Sequence, residues 1–349
     1  MGCRQMEQKH YGAIDGLRTI AAIGIVLMHI RANTAYEISG FLYHTVIPSF
    51  TNFVFLFMAV SAFGMCCGYY ERMLQNRISM AEFYKKRFQK IIPFFAVLVF
   101  LDVAMSHSVS ALYEGFADLT LLFGLLPEAG NISVIGVGWF LGLIFVFYLC
   151  FPFFCCLLEN KRRAWLAFGI SFVYNFVCSQ YFEVGRNNIL YSACFFLAGG
   201  LIYLYREKIE KMCRGGVQRW ALLLLVVTAI IAYYLLDGTA MACLLVSSIL
   251  LIYAVAGKGG LLENAVTRFF SEISMEIYLS HMLVFRVVEK LHGTNLLGNG
   301  WGSYIVTAVL VIGGTVAFSW GMKRILAVVR NKGKEIRIEA QKNENIADK

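Results

Sequence analysis

Ten long apolar runs divide this chain, at residues 12–31, 48–70, 89–109, 134–158, 164–181, 188–205, 220–236, 239–256, 268–289 and 303–327. About 20 apolar residues are what an α-helix needs to cross a bilayer, and lipid offers an unpaired backbone group no other partner. These runs predict an all-α polytopic membrane protein of about ten transmembrane helices. Composition agrees: 59% of the 349 residues are hydrophobic and 15% are charged, against about 45–50% and about 25% in soluble domains. The apolar patch at 119–127 is too short to cross and is expected to be an interfacial or re-entrant piece. Pro48, Pro93, Pro127 and Pro152 fall at or near predicted span ends.

The net charge of +9 would suit a nucleic-acid partner, but its distribution argues against one. Of the 31 Lys and Arg, 26 fall before the first run, in the even-numbered connections and the run edges that border them, and from Lys323 onward. The odd-numbered connections hold only Arg31, Arg186 and Lys290, beside acids such as Glu37, Glu114 and Glu183. Basic loops stay in the cytoplasm, so both termini are expected there in a multi-pass protein of the cell membrane. No nucleic-acid partner is expected.

The start MGCRQMEQKH lacks a cleavage site of small residues, so no removable signal peptide is expected. Met6 stands where myristoylation of Gly2 would want Ser or Thr. Most of the ten cysteines lie inside apolar runs and none forms a Cys-x-x-Cys pair, so no metal centre is expected. Residues 1–329 read as one membrane domain. The polar segment 330–349 reads as a disordered cytoplasmic tail.

Ionisable residues inside a membrane helix are costly and point to function. The first run, YGAIDGLRTIAAIGIVLMHI, carries Asp15, Arg18 and His29. Eleven residues at about 100° each bring His29 to within about 20° of Arg18, roughly 16 Å further along one stripe. Asp15 and Arg18 can pair at i, i+3. The stripe reads either as a neutralised helix end with an interfacial histidine, or as the lining of a cavity. In the second case an imidazole serves as general base and an arginine holds a carbonyl, thioester or phosphate.

The basic stretch FYKKRFQKIIPFF places Lys86, Arg87 and Lys90 at a span entrance, Arg87 and Lys90 on one face. It reads as positive-inside charge against lipid headgroups, or as a clamp for a phosphate-rich anion. Trp139 opens GVGWFLGLIFVFYLCFPFF, and its aromatics read first as belt and core residues. In SEISMEIYLSHMLVFRVVEKL, Ser274, Tyr278 and His281 recur at helical spacing. This second polar stripe either faces the same cavity as His29 or joins helices by hydrogen bonds.

Together these segments resemble the acyltransferase-3 family of integral-membrane acyltransferases, which includes bacterial O-acetyltransferases of surface polysaccharides. The match is carried by IDGLRTIAAIGIVLMH with its Arg18 and His29, by KKRFQKIIP, by WFLGLIFVFYLCFP, and by SEISMEIYLSHMLV with Tyr278 and His281. Lys90 stands where many members have a second arginine, and Leu143–Val146 is apolar where many carry acids.

The resemblance implies transfer of an acyl group, commonly acetyl, from cytoplasmic acyl-CoA to a hydroxyl of an extracytoplasmic or lipid-linked glycan. On that reading Lys86, Arg87 and Lys90 hold the CoA phosphates. Arg18, steadied by Asp15, polarises the thioester, and His29 acts as base or acyl carrier. Trp139, Ser274, Tyr278 and His281 are substrate or supporting positions. The partners implied are the saccharide acceptor and membrane lipids, with no metal. The rival reading is a transporter or flippase of a lipid-linked saccharide using the same charges. It would more often show paired broken helices in two related halves, and no such repeat is visible.

Overall fold

A computed structural model describes residues 9–106, 108–121, 125, 137–257 and 260–347. Twelve helices account for the described fold. They are α1 (Gly12–Ala32), α2 (Leu42–Leu74), α3 (Met80–Ser106), α4 (Val109–Thr120), α5 (Trp139–Leu158) and α6 (Lys161–Tyr181). They continue with α7 (Ile189–Met212), α8 (Gly216–Leu235), α9 (Ala240–Ala256), α10 (Ala265–Glu272), α11 (Ser274–Lys290) and α12 (Trp301–Ala347).

Each predicted run is matched by a helix. Seven of them, α1, α2, α3, α5, α7, α8 and the first 32 residues of α12, are long and apolar enough to cross a membrane. The shortfall in the other three has plain causes: α9 and α11 have 17 residues each, α11 also carries Glu276 and Arg286, and the stretch of α6 that follows its three opening cations includes Asn175 and Gln180. The protein is an all-α polytopic membrane protein. Its outer faces fit lipid, for Leu166 and Val173 of α6, Leu224 and Ile231 of α8 and Val309 of α12 are all exposed.

Caps set many of the helix starts. Asn160, Asn188, Thr239 and Asn264 accept backbone N–H groups at the starts of α6, α7, α9 and α10, satisfying donors that a first turn leaves unpaired. α1 is the hub and packs against α2, α9, α10, α11 and α12. Its small residues Ala21, Ala22 and Gly24 are buried, which lets neighbouring backbones approach. α2 and α7 approach closely, for a Cβ added at Gly199 would lie 2.1 Å from the carbonyl oxygen of Ala59.

Three segments bear on these expectations. α3 begins nine residues before the predicted span because the basic stretch is itself helical, so Pro93 falls inside the helix; Pro152 is likewise inside α5. Bundle packing tolerates a proline when neighbouring groups re-satisfy the freed carbonyl. α12 stays helical to Ala347, through the segment read as a disordered tail. It grows from an existing helix, so no new nucleus has to form. Of the patch at 119–127, residues 119 and 120 end α4 and Leu121 caps it, while 122–124 and 126–127 lie outside the described residues.

Candidate functional site

Antiparallel passes bring distant residues to the two ends of the bundle. One end gathers the start of α1, the finish of α2 and the starts of α3 and α11. Between them lies a cavity of about 400 Å³, walled by Arg18, Arg72, Arg87 and Lys90, by Tyr69 and Tyr148, by Glu272 and Glu276, and by Ser61, Ser271, Ser274 and Tyr278 among others. The sequence motifs from α1, α3 and α11 therefore meet in one place.

Arg87 is the most firmly held of these cations. Its Nη2 donates to the Tyr69 hydroxyl and its Nη1 points to the Met65 sulfur at 3.5 Å. Its guanidinium lies over the Tyr69 ring at 4.6 Å and over Tyr148 at 5.8 Å. Arg72 lies over Tyr69 at 5.7 Å. A π-helical turn at Cys66–Tyr70 carries Tyr69; such turns insert one extra residue and re-aim the side chains around it. Arg72 and Tyr69 were not singled out in the sequence, since a loop arginine and a tyrosine in an apolar run look like topology charge and filler.

Lys86 does not join this site. It is exposed and donates to Glu82 at 2.6 Å on the helix surface. One residue of helix is about 100° of rotation, so only the Arg87/Lys90 face meets the cavity.

Arg18 stands where this cavity meets a second one of about 240 Å³, which Lys9, His10, Tyr11 and Asp15 also wall. Gly64 makes room for it: a Cβ there would lie 2.8 Å from Arg18 Nη2. Asp15 serves Arg18 less than the i, i+3 spacing suggests. Its carboxylate accepts from Ser271 at 2.7 Å and bonds His10 at 2.9 Å, with Arg18 Nη1 at 4.0 Å. Just outside the span, burial and the hydrogen bond to Glu210 raise the Tyr11 phenol above its ordinary pKa.

The other end of the bundle gathers the finish of α1 and the starts of α2 and α5. His29 is half-buried there, its ring 4.9 Å from that of buried His281. His281 Nδ1 lies 2.7 Å from the Tyr278 carbonyl oxygen, so this nitrogen carries the proton and donates. That leaves buried Nε2 as the free lone pair, with no protein partner among the described residues.

Tyr278 links the two ends. Its ring forms cavity wall, its hydroxyl donates to the Val137 carbonyl at 3.0 Å, and it lies 6.1 Å from the His281 ring. Phe57 and Phe140 pack on it at 6.4 and 5.3 Å. His29 is thus not on the wall of the cavity that Arg18 lines; it lies one aromatic layer beyond it. The straight stripe on α1 is real, but α2, α5 and α11 fill its middle with rings.

The remaining positions separate. Ser274 is on the cavity wall, its hydroxyl donating to the Ser271 carbonyl at 2.9 Å. Trp139 lies at the histidine end, under the guanidinium of Arg186 at 5.3 Å.

Comparison with curated proteins and with solved structures gave no match. A family model described as an acyltransferase domain matches residues 11–324, which takes in every motif named above. The chain belongs to the acyltransferase-3 family and is a membrane acyltransferase.

Proposed function

We propose that this protein moves an acyl group, by default acetyl, from acyl-CoA at the cytoplasmic end of the bundle to a hydroxyl of an extracytoplasmic or lipid-linked glycan, in the cell membrane. The observation that carries this reading is the cavity in which Arg18, Arg72, Arg87 and Lys90 converge from three helices. Its cations suit the phosphates of an acyl-CoA. Fork-shaped guanidiniums on tyrosine faces are held ready for phosphate oxygens. The 26 Lys and Arg on one side of the membrane path favour the cytoplasm for this end.

Chemically, the acceptor oxygen bonds the thioester carbon and the carbon–sulfur bond breaks. Arg18 orients the thioester carbonyl in the cavity, and the acyl carbon is attacked once it has passed the ring layer to the His29 end. The acceptor proton goes to His29, and the thiolate leaves with a proton from solvent. His281, its tautomer set by the Tyr278 carbonyl, positions His29 across the 4.9 Å ring contact. Because Tyr278, Phe57 and Phe140 stand between the thioester end and His29, transfer requires that these rings part or that the acyl chain thread between them.

The test uses full-length protein in sealed proteoliposomes, with radiolabelled acetyl-CoA on the basic face and a glycan acceptor on the other. Label reaching the acceptor with wild-type protein and not with His29→Ala supports the reading. Label reaching acceptor only on the acetyl-CoA side overturns the transmembrane direction.

A further inference from the structure

Arg186 is anchored on Thr51 and Trp139 at the histidine end of the bundle, yet its charge is left open. It sits in the α6–α7 connection, where its own carbonyl accepts from buried Ser192 at 2.9 Å. From there it reaches α2 and α5: Nη1 donates to Thr51 Oγ1 at 2.6 Å, and the guanidinium lies over Trp139 at 5.3 Å. It also interacts electrostatically with His29.

Two other arginines have a carboxylate within reach, whereas Arg31 and Arg87 lie on tyrosine faces and each keeps a buried Nε without a partner among the described residues. Arg286 meets Asp102 at 2.9 Å, Arg18 has Asp15 at 4.0 Å, and Arg87 is held by Tyr69 and Tyr148. Among the described residues no carboxylate forms an ion pair with Arg186. Glu183, the nearest acid in sequence, is exposed. Thr51 uses Nη1 alone, and no other protein acceptor among the described residues meets Arg186. The Nε–H and Nη2–H edge therefore remains open, and that edge is the fork that grips a carboxylate or phosphate with two hydrogen bonds.

A partly desolvated cation without a counter-ion is unfavourable. It is more so beside a base that must gain a proton, since imidazolium next to guanidinium is a like-charge pair. Both problems vanish if the substrate brings the anion.

We infer that Arg186 is a specificity site for a carboxylate or phosphate on the acceptor, so that this enzyme acylates an acidic saccharide. The inference rests on the acyl-transfer reading of the His29 end. It adds that the acceptor's negative charge neutralises Arg186 and thereby permits proton transfer to His29. An anionic lipid headgroup offers the same chemistry from another source, and the test separates the two.

The full chain is placed in phosphatidylcholine nanodiscs. Binding of an alkyl glucuronide is compared with that of the matching alkyl glucoside, which differ only in carboxylate against hydroxymethyl. Wild type is expected to prefer the glucuronide by about tenfold or more, the scale of one charge-assisted contact. Arg186→Gln should reduce that preference to about twofold or less, and Arg186→Lys should keep part of it.

A merely structural arginine would lower the thermal midpoint in both variants without moving the preference, and that result overturns the proposal. So does equal binding of the two probes by wild type. If added phosphatidylglycerol abolishes the preference, the anion belongs to the lipid and the acceptor assignment fails. Acetyl-CoA cleavage is followed in the same samples. A charge preference without thioester cleavage would sink the acyl-transfer reading while leaving the anion site standing.

Discussion

Arg87 and Lys86 are adjacent in sequence and carry the same charge, yet the structure assigns them opposite fates. Replacing Arg87 with Gln removes a guanidinium fixed by Tyr69, Met65 and two aromatic faces on the cavity wall. A hydrogen bond to a charged group is worth about 1.5–3 kcal/mol, which at about 1.4 kcal/mol per decade is a loss of about 10- to 150-fold in donor affinity. Lys86→Gln removes an exposed amine already engaged by Glu82; such surface pairs contribute little, so donor affinity should stay within about twofold. The assay is acetyl-CoA binding to the full chain in nanodiscs, repeated with acetyl-pantetheine, which lacks the diphosphate. The Arg87 effect should vanish with acetyl-pantetheine. Equal losses for Lys86→Gln and Arg87→Gln, or an Arg87 loss that survives removal of the diphosphate, would refute the cavity as the phosphate site.

Three further outcomes follow from the packing. Gly64→Ala should leave folding intact and lower acyl-CoA turnover about tenfold or more, because its Cβ would press on the flexible end of Arg18 at 2.8 Å and displace it; unchanged turnover would remove Arg18 from the chemistry. Gly199→Ala has no such escape, since its Cβ would meet the Ala59 carbonyl at 2.1 Å; a cost of about 1–3 kcal/mol should appear as a lower thermal midpoint, and an unmoved midpoint contradicts the contact. Arg286→Leu should destabilise by about 1–3 kcal/mol by stranding Asp102. Burial of Asp102, 8% exposed, sets the cost, and the 48% exposure of Arg286 keeps it below that of a fully buried pair. Adding Asp102→Leu should recover stability, and a double variant no better than the single one would mean the pair carries no energy.

Residue order alone exposed the helices and the two ends of the path, because membrane spans and basic loops are written in composition over twenty residues at a time. The i, i+3 spacing of Arg87 and Lys90 corresponds to one cavity face, whereas Arg18 and His29, eleven residues apart on α1, do not line the same cavity. Adjacent cations are where reading by type fails: Lys86 shares Arg87's charge but not its azimuth. Asp15 shows a second limit, since spacing pairs it with Arg18 whereas tertiary packing hands its carboxylate to Ser271 and His10. The ring layer of Phe57, Phe140 and Tyr278 comes from three helices far apart in the chain, and Phe in an apolar run carries no signal of its own. Arg186 lies in the α6–α7 connection, with no helical period to mark it. Only the convergence of α2, α5 and the α6–α7 connection reveals its place at the histidine end.

The central claim is acyl transfer dependent on His29. Its most direct test is mass spectrometry of surface glycans from host cells deleted for this chain and complemented with wild type or His29→Ala. Ester-linked acyl groups should disappear on deletion, return with wild type, and stay absent with His29→Ala at equal membrane abundance. Full acylation restored by His29→Ala, or glycans unchanged by the deletion, would contradict it.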